Sequence, residues 1–440
     1  MTKCLRIGLA GLGTVGAAVL KSLLENENGS FFMDRQKVEV TGIAARNRQQ
    51  DRGVNLSSFQ WYDNPVDLAR ADNVDCVVEL IGGADGPAYD VIGMALDNRK
   101  HVVTANKALL AKHGLKFASL AEKQGVALAF EAAVAGGIPI IKTLREALTG
   151  NHIYKVSGIL NGTCNYILSR MELENMSFED CLKDAQKLGY AEADPTFDIE
   201  GYDSAHKLAI LASLAFGSAI DADHVKVEGI SRITLFDLKM AEELGFRIKL
   251  LAVAEMTDKG LEQRVQPTMI CRNNVLSGVM GVTNAVKLNA DMVGELSLVG
   301  AGAGGNATAS AVLSDIADIA KGRLVRPFGV SAQSLFPVEA APPQIHEGGF
   351  YIRLTVYDRP GVAAKVIQHM AGQGISLESI LQRRDESAAQ QDPAGRSGAP
   401  VPVVLITYAT DEEAVRKALK EMEGDDLLTD KPLLVRIERG

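Results

Sequence analysis

Short apolar runs alternate with helical spacing in the N-terminal part of the chain. Runs of strand length begin at Leu5, Val38, Cys76 and His101, and stretches with the apolar period of a helix separate them. Strands and helices that alternate in this way form a parallel sheet with helices on both faces. The pattern therefore predicts an α/β fold with a doubly wound, Rossmann-type domain over residues 1–130.

The pattern changes after residue 130. The segment KVSGILNGTCNYIL, from Lys155, and the apolar helix predicted after Asp203 indicate a second, mixed α+β domain over residues 131–304. We expect this domain to bind the substrate and to form a dimer interface. A glycine cluster, GAGAGG from Gly300, precedes another helical pattern, and we expect residues from about 305 to 335 to return to the first domain.

The C-terminal part has its own sequence pattern. A Pro-, Ala- and Gly-rich stretch without periodicity follows Ser331 and predicts a linker. Beyond it, strand and helix patterns follow one another in the order βαββαβ, with a polar loop around Gln390. This order predicts a ferredoxin-like domain over residues 345–440.

The composition narrows the possible partners and location. The chain has 46 Lys and Arg against 55 Asp and Glu, so we expect neither nucleic acid nor an anionic membrane as a partner. Its five cysteines form no CxxC pair, and no apolar run reaches the ~20 residues of a membrane helix. A strand and a glycine motif at the very start leave no room for a signal peptide. We therefore expect a cytoplasmic protein that binds small molecules.

The motif GLGTVG has the spacing of a dinucleotide-binding turn between the first strand and the first helix. Gly11 would make the turn, Gly13 would let a pyrophosphate approach, and Gly16 would let helix and strand pack closely. Where an NAD-specific enzyme carries an acidic residue after the second strand, this chain has Arg46 and Arg48. A guanidinium there suits a 2′-phosphate, so the sequence favours NADP, with NAD still possible.

Two lysines are candidates for acid–base chemistry. Lys207 follows Asp203 by four residues at the start of the apolar helix, so both share one face. One interpretation is an exposed ion pair; the other is a buried lysine whose pKa is lowered toward that of a proton donor by burial and by the helix dipole. Lys107 follows the strand that begins at His101, where open α/β sheets bind ligands, or it is an ordinary solvated lysine.

The residues alone leave two other functions open. Cys164 in NGTCNY could attack an aldehyde, which would make the chain a cysteine-dependent aldehyde dehydrogenase, although no His lies near it and a buried packing role is the simpler interpretation. The chain could also be a non-enzymatic sensor of nucleotides and amino acids, with a purely structural acidic segment around Asp203.

Six segments in a fixed order resemble the homoserine dehydrogenase family across nearly the whole chain. They are GLGTVG, TANK, EAAVAGGIPII, GILNGTCNYIL, GYAEADPTFDIEGYDSAHKLAIL and GAGAGG. The resemblance implies reversible reduction of L-aspartate 4-semialdehyde to L-homoserine with NADP or NAD, in threonine, methionine and isoleucine biosynthesis. The C-terminal unit, with DRPG before its first helix, resembles an ACT domain. That likeness implies feedback regulation, threonine as the expected effector, and a homodimer or homotetramer.

The resemblance also implies roles for individual residues. Lys207 would be the proton donor and acceptor, Lys107 a second catalytic or cofactor-contacting lysine, and Asp198 an organiser of both. Glu192 and Asp203 would bind the substrate. Further cofactor contacts are implied at Thr14, Val15, Thr104, Gly189 and Gly305. A monovalent cation, expected to be sodium, would be bound by the side chain of Glu131 and the carbonyls of Val134, Gly136 and Ile138. Cys164 departs from the family, which more often has Thr there.

Overall fold

The structure is a computed structural model that describes residues 4–25, 37–341, 347–382 and 400–439. The polar loop predicted around Gln390 lies outside these residues, as does the end of the linker predicted after Ser331. Among the described residues, no helix is both long and apolar enough to cross a membrane. The described strands form two main sheets, one of six strands and one of eleven.

The six-stranded sheet carries the N-terminal part of the chain. Its strands and the helices between them are β1 (Leu5–Ala10), α1 (Thr14–Glu25), β2 (Val38–Ala44), β3 (Gln60–Tyr62), α2 (Pro65–Arg70), β4 (Cys76–Glu79), α3 (Pro87–Asp97), β5 (His101–Thr104), α4 (Lys107–Gln124) and β6 (Leu128–Ala129). All strands are parallel, in the order β3-β2-β1-β4-β5-β6. The predicted doubly wound parallel sheet is confirmed, with the short strands β3 and β6 in addition.

The second sheet is mixed and begins in the middle of the chain. The elements of this region are α5 (Ile140–Lys142), β7 (Ile153–Ile159), α6 (Gly162–Glu174), α7 (Phe178–Lys187), α8 (Thr196–Ile199), α9 (Tyr202–Phe216), β8 (Lys226–Val227), α10 (Leu235–Glu243), β9 (Phe246–Thr257), β10 (Gly260–Cys271), β11 (Thr283–Ala290), β12 (Gly294–Ala301) and α11 (Gly305–Ala320). Helix α9 is buried over most of its length, as its nearly all-round apolar surface predicts. It packs against strands of this sheet and against α4 of the first.

Helix α11 packs back onto the N-terminal sheet. Its apolar residues Ala309, Val312 and Ile316 are fully or almost fully buried in one core with Val19 and Leu20 of α1. Residues 332–340 begin with a short 3-10 turn, pair at Phe336 with Ser218 after α9 and pair at Ala340 with Leu261 of β10. These contacts give this part of the predicted linker a fixed path over the protein.

The C-terminal segment has the predicted βαββαβ order, with one extra short strand. Its elements are β13 (Glu347–Tyr357), α12 (Val362–Gly372), β14 (Leu377–Gln382), β15 (Pro400–Thr407), β16 (Thr410–Asp411), α13 (Glu412–Gly424) and β17 (Leu433–Glu438). The strand order is β17-β13-β15-β14, and β17 also pairs in parallel with β10. The second sheet therefore continues into the C-terminal segment, a feature that the sequence pattern did not predict.

A chain of buried ion pairs crosses this junction. The guanidinium of Arg436 in β17 lies 2.6 Å from Glu412 and 2.7 Å from Glu262 of β10. Next to it, Arg264 of β10 lies 2.6 Å from Glu438 of β17. Both arginines are at most 3% exposed. Each has one carboxylate partner in its own segment, Glu412 for Arg436 and Glu262 for Arg264, and one across the junction, so both segments contribute to the compensation of the buried charges.

Candidate active site

Asp203 lies between the two predicted catalytic lysines. Its Oδ1 atom is 2.8 Å from Nζ of Lys107, the first residue of α4, and its Oδ2 atom is 2.7 Å from Nζ of Lys207, one turn further along α9. The carboxylate is 3% exposed. The interpretation of Asp203 and Lys207 as an exposed surface pair is therefore wrong, because both side chains point into the interior.

Asn161 links the carboxylate of Asp198 to the group formed by Asp203, Lys107 and Lys207. Its Nδ2 donates to Oδ2 of Asp203 at 2.9 Å and to Oδ1 of Asp198 at 2.8 Å, and its Oδ1 caps α6 by accepting from the Cys164 N–H. Asn161 lies in the NGTCNY motif, but no role was predicted for it. Its only local signal was that Asn is a favoured residue immediately before a helix.

The pKa values of Lys207 and Lys107 are shifted in opposite directions. Burial lowers the pKa of Lys207, and the nearby Asp203 carboxylate only partly offsets this effect. Burial would also lower the pKa of Lys107, but Asp203, with smaller contributions from Asp198 and Glu192, raises it above its ordinary value. Of the two, Lys207 is therefore the one that releases its proton more readily.

The pKa values of the carboxylates of Asp203 and Asp198 are also shifted in opposite directions. Burial alone would raise the pKa of Asp203, but the two lysine ammonium groups outweigh burial and hold that pKa below its usual range. Burial and the charge of Asp203 raise the pKa of Asp198. The exposed Glu192 is near enough to act on Lys107 but makes no described side-chain hydrogen bond. The site thus combines the ionised carboxylate of Asp203 with two further acidic residues, Asp198 and Glu192.

Lys207 has one N–H that the described residues do not bind. Its ammonium group donates to Oδ2 of Asp203 and, at 2.7 Å, to the carbonyl of Leu160 at the end of β7. An ammonium group carries three N–H donors, so one is left for a ligand. The side chain is 11% exposed, compared with 35% for Lys107.

Cys164 is poorly placed to be a nucleophile. It is fully buried in the first turn of α6, and its Sγ lies 3.2 Å from the carbonyl oxygen of Asp198. Burial and the surrounding carboxylates raise its pKa well above the ordinary value of a thiol, whereas a catalytic cysteine needs a lowered pKa. The structure supports the packing interpretation.

The glycine motif forms the tight turn that its spacing predicts. Gly11 has φ +106°, and a Cβ there would lie 2.4 Å from the carbonyl oxygen of Leu80. A Cβ at Gly16 would lie 2.0 Å from the carbonyl oxygen of Gly11, whereas one at Gly13 would meet nothing within 4 Å. The backbone at Gly13 is therefore open for the approach of a phosphate at the N-terminus of α1.

Two helices begin side by side at this turn. Thr14 and Val15 open α1, and the position that a Cβ of Gly305 would occupy lies 3.3 Å from Cγ2 of Thr14. Gly305 is the first residue of α11. The structure thus brings together two predicted cofactor segments that are almost 300 residues apart in the sequence.

Arginine side chains surround the end of β2. Arg46 is exposed in the loop directly after the strand, and the guanidinium of Arg48 lies 5.5 Å from the ring centroid of Trp61 in β3. Arg52, for which no role was predicted, donates to the carbonyl of Leu12 in the glycine turn at 3.0 Å. The loop is therefore positively charged and is tied to the glycine turn.

A buried carboxylate supports the loops at the ends of β4 and β5. Glu79 accepts a 2.5 Å hydrogen bond from Thr104 and further bonds from the N–H groups of Ile81 and Gly82. Asn106 caps α4 just before Lys107 and donates to the carbonyl of Gly83. Thr104 was predicted as a cofactor contact, whereas no role was predicted for Glu79 or Asn106.

Gly189 lies just after the end of α7. It adopts φ +76°, and a Cβ there would meet nothing within 4 Å. The carbonyl of the next residue, Tyr190, accepts a 2.6 Å hydrogen bond from Thr163 in the first turn of α6. Gly189 is therefore held near the N-terminus of α6 while its own backbone stays accessible.

The predicted cation loop is tightly turned. Ala135 and Gly136 both have positive φ, and a Cβ at Gly136 would lie 2.5 Å from the carbonyl oxygen of Gly302. The buried carboxylate of Glu131 accepts from the N–H groups of Ile141 and Lys142 at the start of α5. Burial and the nearby Asp315 raise the pKa of Glu131 to about 7.

Some carbonyls of this loop are available as ligands. Within the described residues, those of Val134 and Gly136 accept no hydrogen bond, whereas that of Ile138 accepts from Ile140. The same residues contain no group of three or more His, Cys, Asp or Glu side chains that could hold a metal ion. One carboxylate and neutral carbonyls form a donor set suited to a monovalent cation.

Two protein-family models match this chain, one over the N-terminal sheet and one over the region that follows it. Residues 11–131 match the family model described as the NAD binding domain of homoserine dehydrogenase, and residues 139–317 match the model described as homoserine dehydrogenase. The homoserine dehydrogenases of Neisseria gonorrhoeae and Pseudomonas aeruginosa are each 41% identical to this chain, with 99% of both chains covered.

Solved structures agree with these sequence matches. A homoserine dehydrogenase from Thiobacillus denitrificans is 40% identical and superposes with a TM-score of 0.90 over 99% of both chains. A hyperthermophilic archaeal homoserine dehydrogenase mutant in complex with NADPH is 27% identical, with a TM-score of 0.63 over 74% of this chain and 99% of that one. The chain therefore belongs to the homoserine dehydrogenase family and is an oxidoreductase that uses a nicotinamide cofactor.

Proposed function

We propose that Lys207 is the acid–base group in the reversible reduction of L-aspartate 4-semialdehyde to L-homoserine. In the reductive direction its ammonium group gives a proton to the oxygen of the C4 aldehyde, and in the oxidative direction the neutral amine takes the proton back. A bound nicotinamide cofactor supplies or accepts the hydride. The chain's own contribution is to hold the proton at the reacting oxygen and to orient the substrate.

The observation that carries this proposal is the position of the Lys207 ammonium group. Two of its three N–H groups are held by Asp203 and Leu160, which fixes the direction of the third. Burial lowers its pKa, so the proton is transferred at a smaller cost than from a solvated lysine. Lys107 lacks both features, because it is more exposed and its pKa is raised.

The surrounding residues have supporting roles in the proposed reaction. Lys107 makes a second ammonium group available for the substrate or the cofactor. Asp203 keeps both lysines in place, and with Glu192 it provides negative charge for the substrate α-ammonium group. Asp198, bound to Asn161, organises the same group of side chains.

NADP is the cofactor that the charges favour. The open backbone at Gly13 and the adjacent helix starts at Thr14 and Gly305 suit a pyrophosphate, with Val15, Thr104, Lys107 and Gly189 as further contacts. Arg46 and Arg48 at the end of β2 suit a 2′-phosphate. The archaeal relative described as a complex with NADPH supports this choice, and NAD remains the second candidate.

The loop after β6 is the proposed cation site. Glu131 together with the carbonyls of Val134, Gly136 and Ile138 would hold sodium, and the tight turn at Ala135 and Gly136 orients those carbonyls. Such an ion would supply a fixed positive charge beside the glycine segment of Gly302.

The domain boundaries are also part of the proposal. Residues 1–130, joined by about 305–335, bind the cofactor; residues 131–304 bind the substrate and form the dimer interface; and residues 345–440 are an ACT domain. The βαββαβ order and the strand order β17-β13-β15-β14 support that last assignment. Threonine is the expected effector, and a homodimer or homotetramer is the expected assembly.

Oxidation of NADPH in the presence of L-aspartate 4-semialdehyde tests the catalytic assignment. Lys207→Ala is expected to reduce kcat by about 10²–10⁴-fold, the usual contribution of a positioned proton donor, while NADPH still binds. Lys183→Ala, at a lysine whose side chain is 76% exposed on α7, is the matched control. Lys207→Met, which keeps the length of the side chain, separates loss of the proton from loss of packing. Full turnover in both Lys207 variants would exclude the assignment.

A further inference from the structure

Asn284 in β11 is a buried asparagine whose side chain has no hydrogen-bond partner within the described residues. The residue is 1% exposed, and both Oδ1 and Nδ2 are buried and unpaired. An unpaired buried carboxamide costs free energy, and native proteins contain few such groups. The side chain therefore points to a ligand that carries both a hydrogen-bond donor and an acceptor.

The carboxamide of Asn284 lies against the backbone of Gly302. A Cβ at Gly302 would be 1.9 Å from Cγ of Asn284, 2.1 Å from Nδ2 and 2.3 Å from Oδ1, so only glycine leaves room for this side chain. Three residues further on, Gly305 begins α11 beside Thr14. Asn284 is thus in contact with the segment that leads directly to the proposed pyrophosphate site.

The end of β7 lies beside Asn284 in the sheet. The two strands are antiparallel, with Ala285 opposite Ile159, and the same register continued by one residue places Asn284 opposite Leu160. The carbonyl of Leu160 accepts a hydrogen bond from the ammonium group of Lys207. Asn284 therefore lies next to the backbone that holds the proposed proton donor.

The side chain of Asn284 points to the face of the sheet on which α9 packs. Val286 and Leu288 share a core with Leu208 of α9, whereas Ala285 belongs to a separate core. Residues two positions apart on a strand share a face, which places Asn284 with Val286 and Leu288. The carboxamide is therefore on the same side of the sheet as α9.

The proposed reaction requires the nicotinamide ring to lie in this part of the molecule. Its C4 atom has to reach the aldehyde carbon whose oxygen receives the proton of Lys207, while the pyrophosphate of the same cofactor binds at Gly305. The ring therefore lies between these two residues. Asn284 lies between them as well, because it contacts Gly302 on one side and is opposite Leu160 on the other.

We propose that Asn284 binds the carboxamide group of the nicotinamide ring, an inference that rests on the proposed reaction and cofactor site. Nδ2 donates to the carbonyl oxygen of that group and Oδ1 accepts from its amino group, so one ligand group satisfies both buried atoms. A substrate carboxylate would satisfy only Nδ2, and an ammonium group or a sodium ion only Oδ1. The two hydrogen bonds restrict rotation of the ring and so position C4 for hydride transfer.

Calorimetric titration of the full chain with NADPH tests the proposal through binding alone. Asn284→Leu removes both polar atoms with little change in side-chain volume, and the Kd for NADPH should rise about tenfold or more. Asn289→Leu, at a partly exposed asparagine of the same strand that pairs with Glu295, is the matched control and should bind like the wild type.

Urea unfolding without cofactor separates this role from a structural one. Because the side chain of Asn284 has no protein partner to lose, Asn284→Leu should unfold at a urea concentration at least as high as the wild type does. A residue that only supports the fold would instead lower that concentration and leave the affinity of the folded fraction for NADPH unchanged.

The 3-acetylpyridine analogue of NADPH provides a second measurement that needs no variant. It keeps the carbonyl group of the ring substituent but has a methyl group in place of the amino group, so the wild type should bind it about fivefold or more weakly than NADPH. In Asn284→Leu the two affinities should agree within about twofold, because the partner of the amino group is gone.

Two results would overturn the proposal. One is a Kd for NADPH that is the same in folded Asn284→Leu and the wild type; a raised KM for L-aspartate 4-semialdehyde alone would then assign the carboxamide to the substrate. The other is an affinity ratio between NADPH and its analogue that is the same in both proteins. Absent turnover in a wild type that binds NADPH through Asn284 contradicts the proposed reaction and leaves the cofactor contact standing.

Discussion

The carboxylate of Asp203 lies 2.7 Å from the ammonium group of Lys207, one turn away on the same buried helix face. Burial and the carboxylate act on the lysine in opposite directions: burial lowers its pKa and Asp203 raises it. Both lysines stabilise the ionised form of Asp203 and hold its pKa below the usual range. The protonation of Lys207 therefore depends most strongly on the neighbouring charge of Asp203, with smaller effects from Lys107 and Asp198.

Replacing that charge should change the pH dependence of the reaction. In Asp203→Asn the raising influence of the carboxylate on Lys207 is lost while burial remains, so the pKa of Lys207 falls further. Reduction of the aldehyde needs the ammonium form, so the pH above which kcat/KM declines should move down. Asp194→Asn, an exposed acid of the same segment, is the control. An unchanged or upward-shifted profile would contradict the dependence on Asp203.

The arginines after β2 should determine the choice between cofactors. In the double variant Arg46→Ala with Arg48→Ala, the KM for NADPH should rise about tenfold or more because the 2′-phosphate loses charged donors. The KM for NADH, which has no such phosphate, should change little. Arg70→Ala, an exposed arginine on α2, serves as the control. Equal effects on both cofactors would show that the arginines do not recognise the 2′-phosphate.

Cys164→Ser should leave turnover largely intact. The thiol is buried against the carbonyl of Asp198, where a serine hydroxyl can also donate, and its raised pKa keeps it protonated. Steady-state rates with L-aspartate 4-semialdehyde check this expectation. Complete loss of activity in a folded variant would support a cysteine-dependent mechanism.

A buried lysine that forms no ion pair among the described residues should make stability depend on pH. Lys249 is 1% exposed and donates to Asn165 and to the carbonyl of Val279, and burial, with a smaller effect of Arg247, lowers its pKa to about 7. Between pH 7 and about 10 the unfolded chain keeps this proton and the folded chain does not. The free energy of unfolding should therefore rise with pH there, by up to about 1.4 kcal/mol per unit from this group.

Lys249→Met removes that titration and should flatten the slope. Urea unfolding at several pH values, with Lys259→Met in the exposed turn between β9 and β10 as the control, measures the difference. A slope that is the same in the wild type and Lys249→Met would show that the folded protein keeps Lys249 charged.

Local patterns were sufficient to predict the parallel sheet, the glycine turn and the pairing of Asp203 with Lys207. Each depends on residues within a few positions of one another, where strand and helix periods apply directly. The contact of Lys107 with Asp203 joins two distant helices. The contact itself was not predicted. Both residues were expected in the active site only because ligands bind at the ends of parallel strands and because the family resemblance names both.

Other features have no local signature. Asn161, Glu79 and Asn106 act through hydrogen bonds to loops that only the folded chain brings close. Arg264 and Arg436 sit in strands where charged residues usually face water, and only pairing between β10 and β17 explains their burial. A pattern read along the chain does not reveal pairing between strands so far apart.

The parallel pairing of β10 with β17 determines what truncation would do. Without the C-terminal segment, Thr268–Ile270 would become an unpaired sheet edge, and Arg264 would lose Glu438 as a counter-ion inside the protein. Open edges of this kind attract strands of other chains and promote aggregation. A shortened enzyme would therefore need polar substitutions along β10 to avoid aggregation, even if its catalytic residues were unchanged.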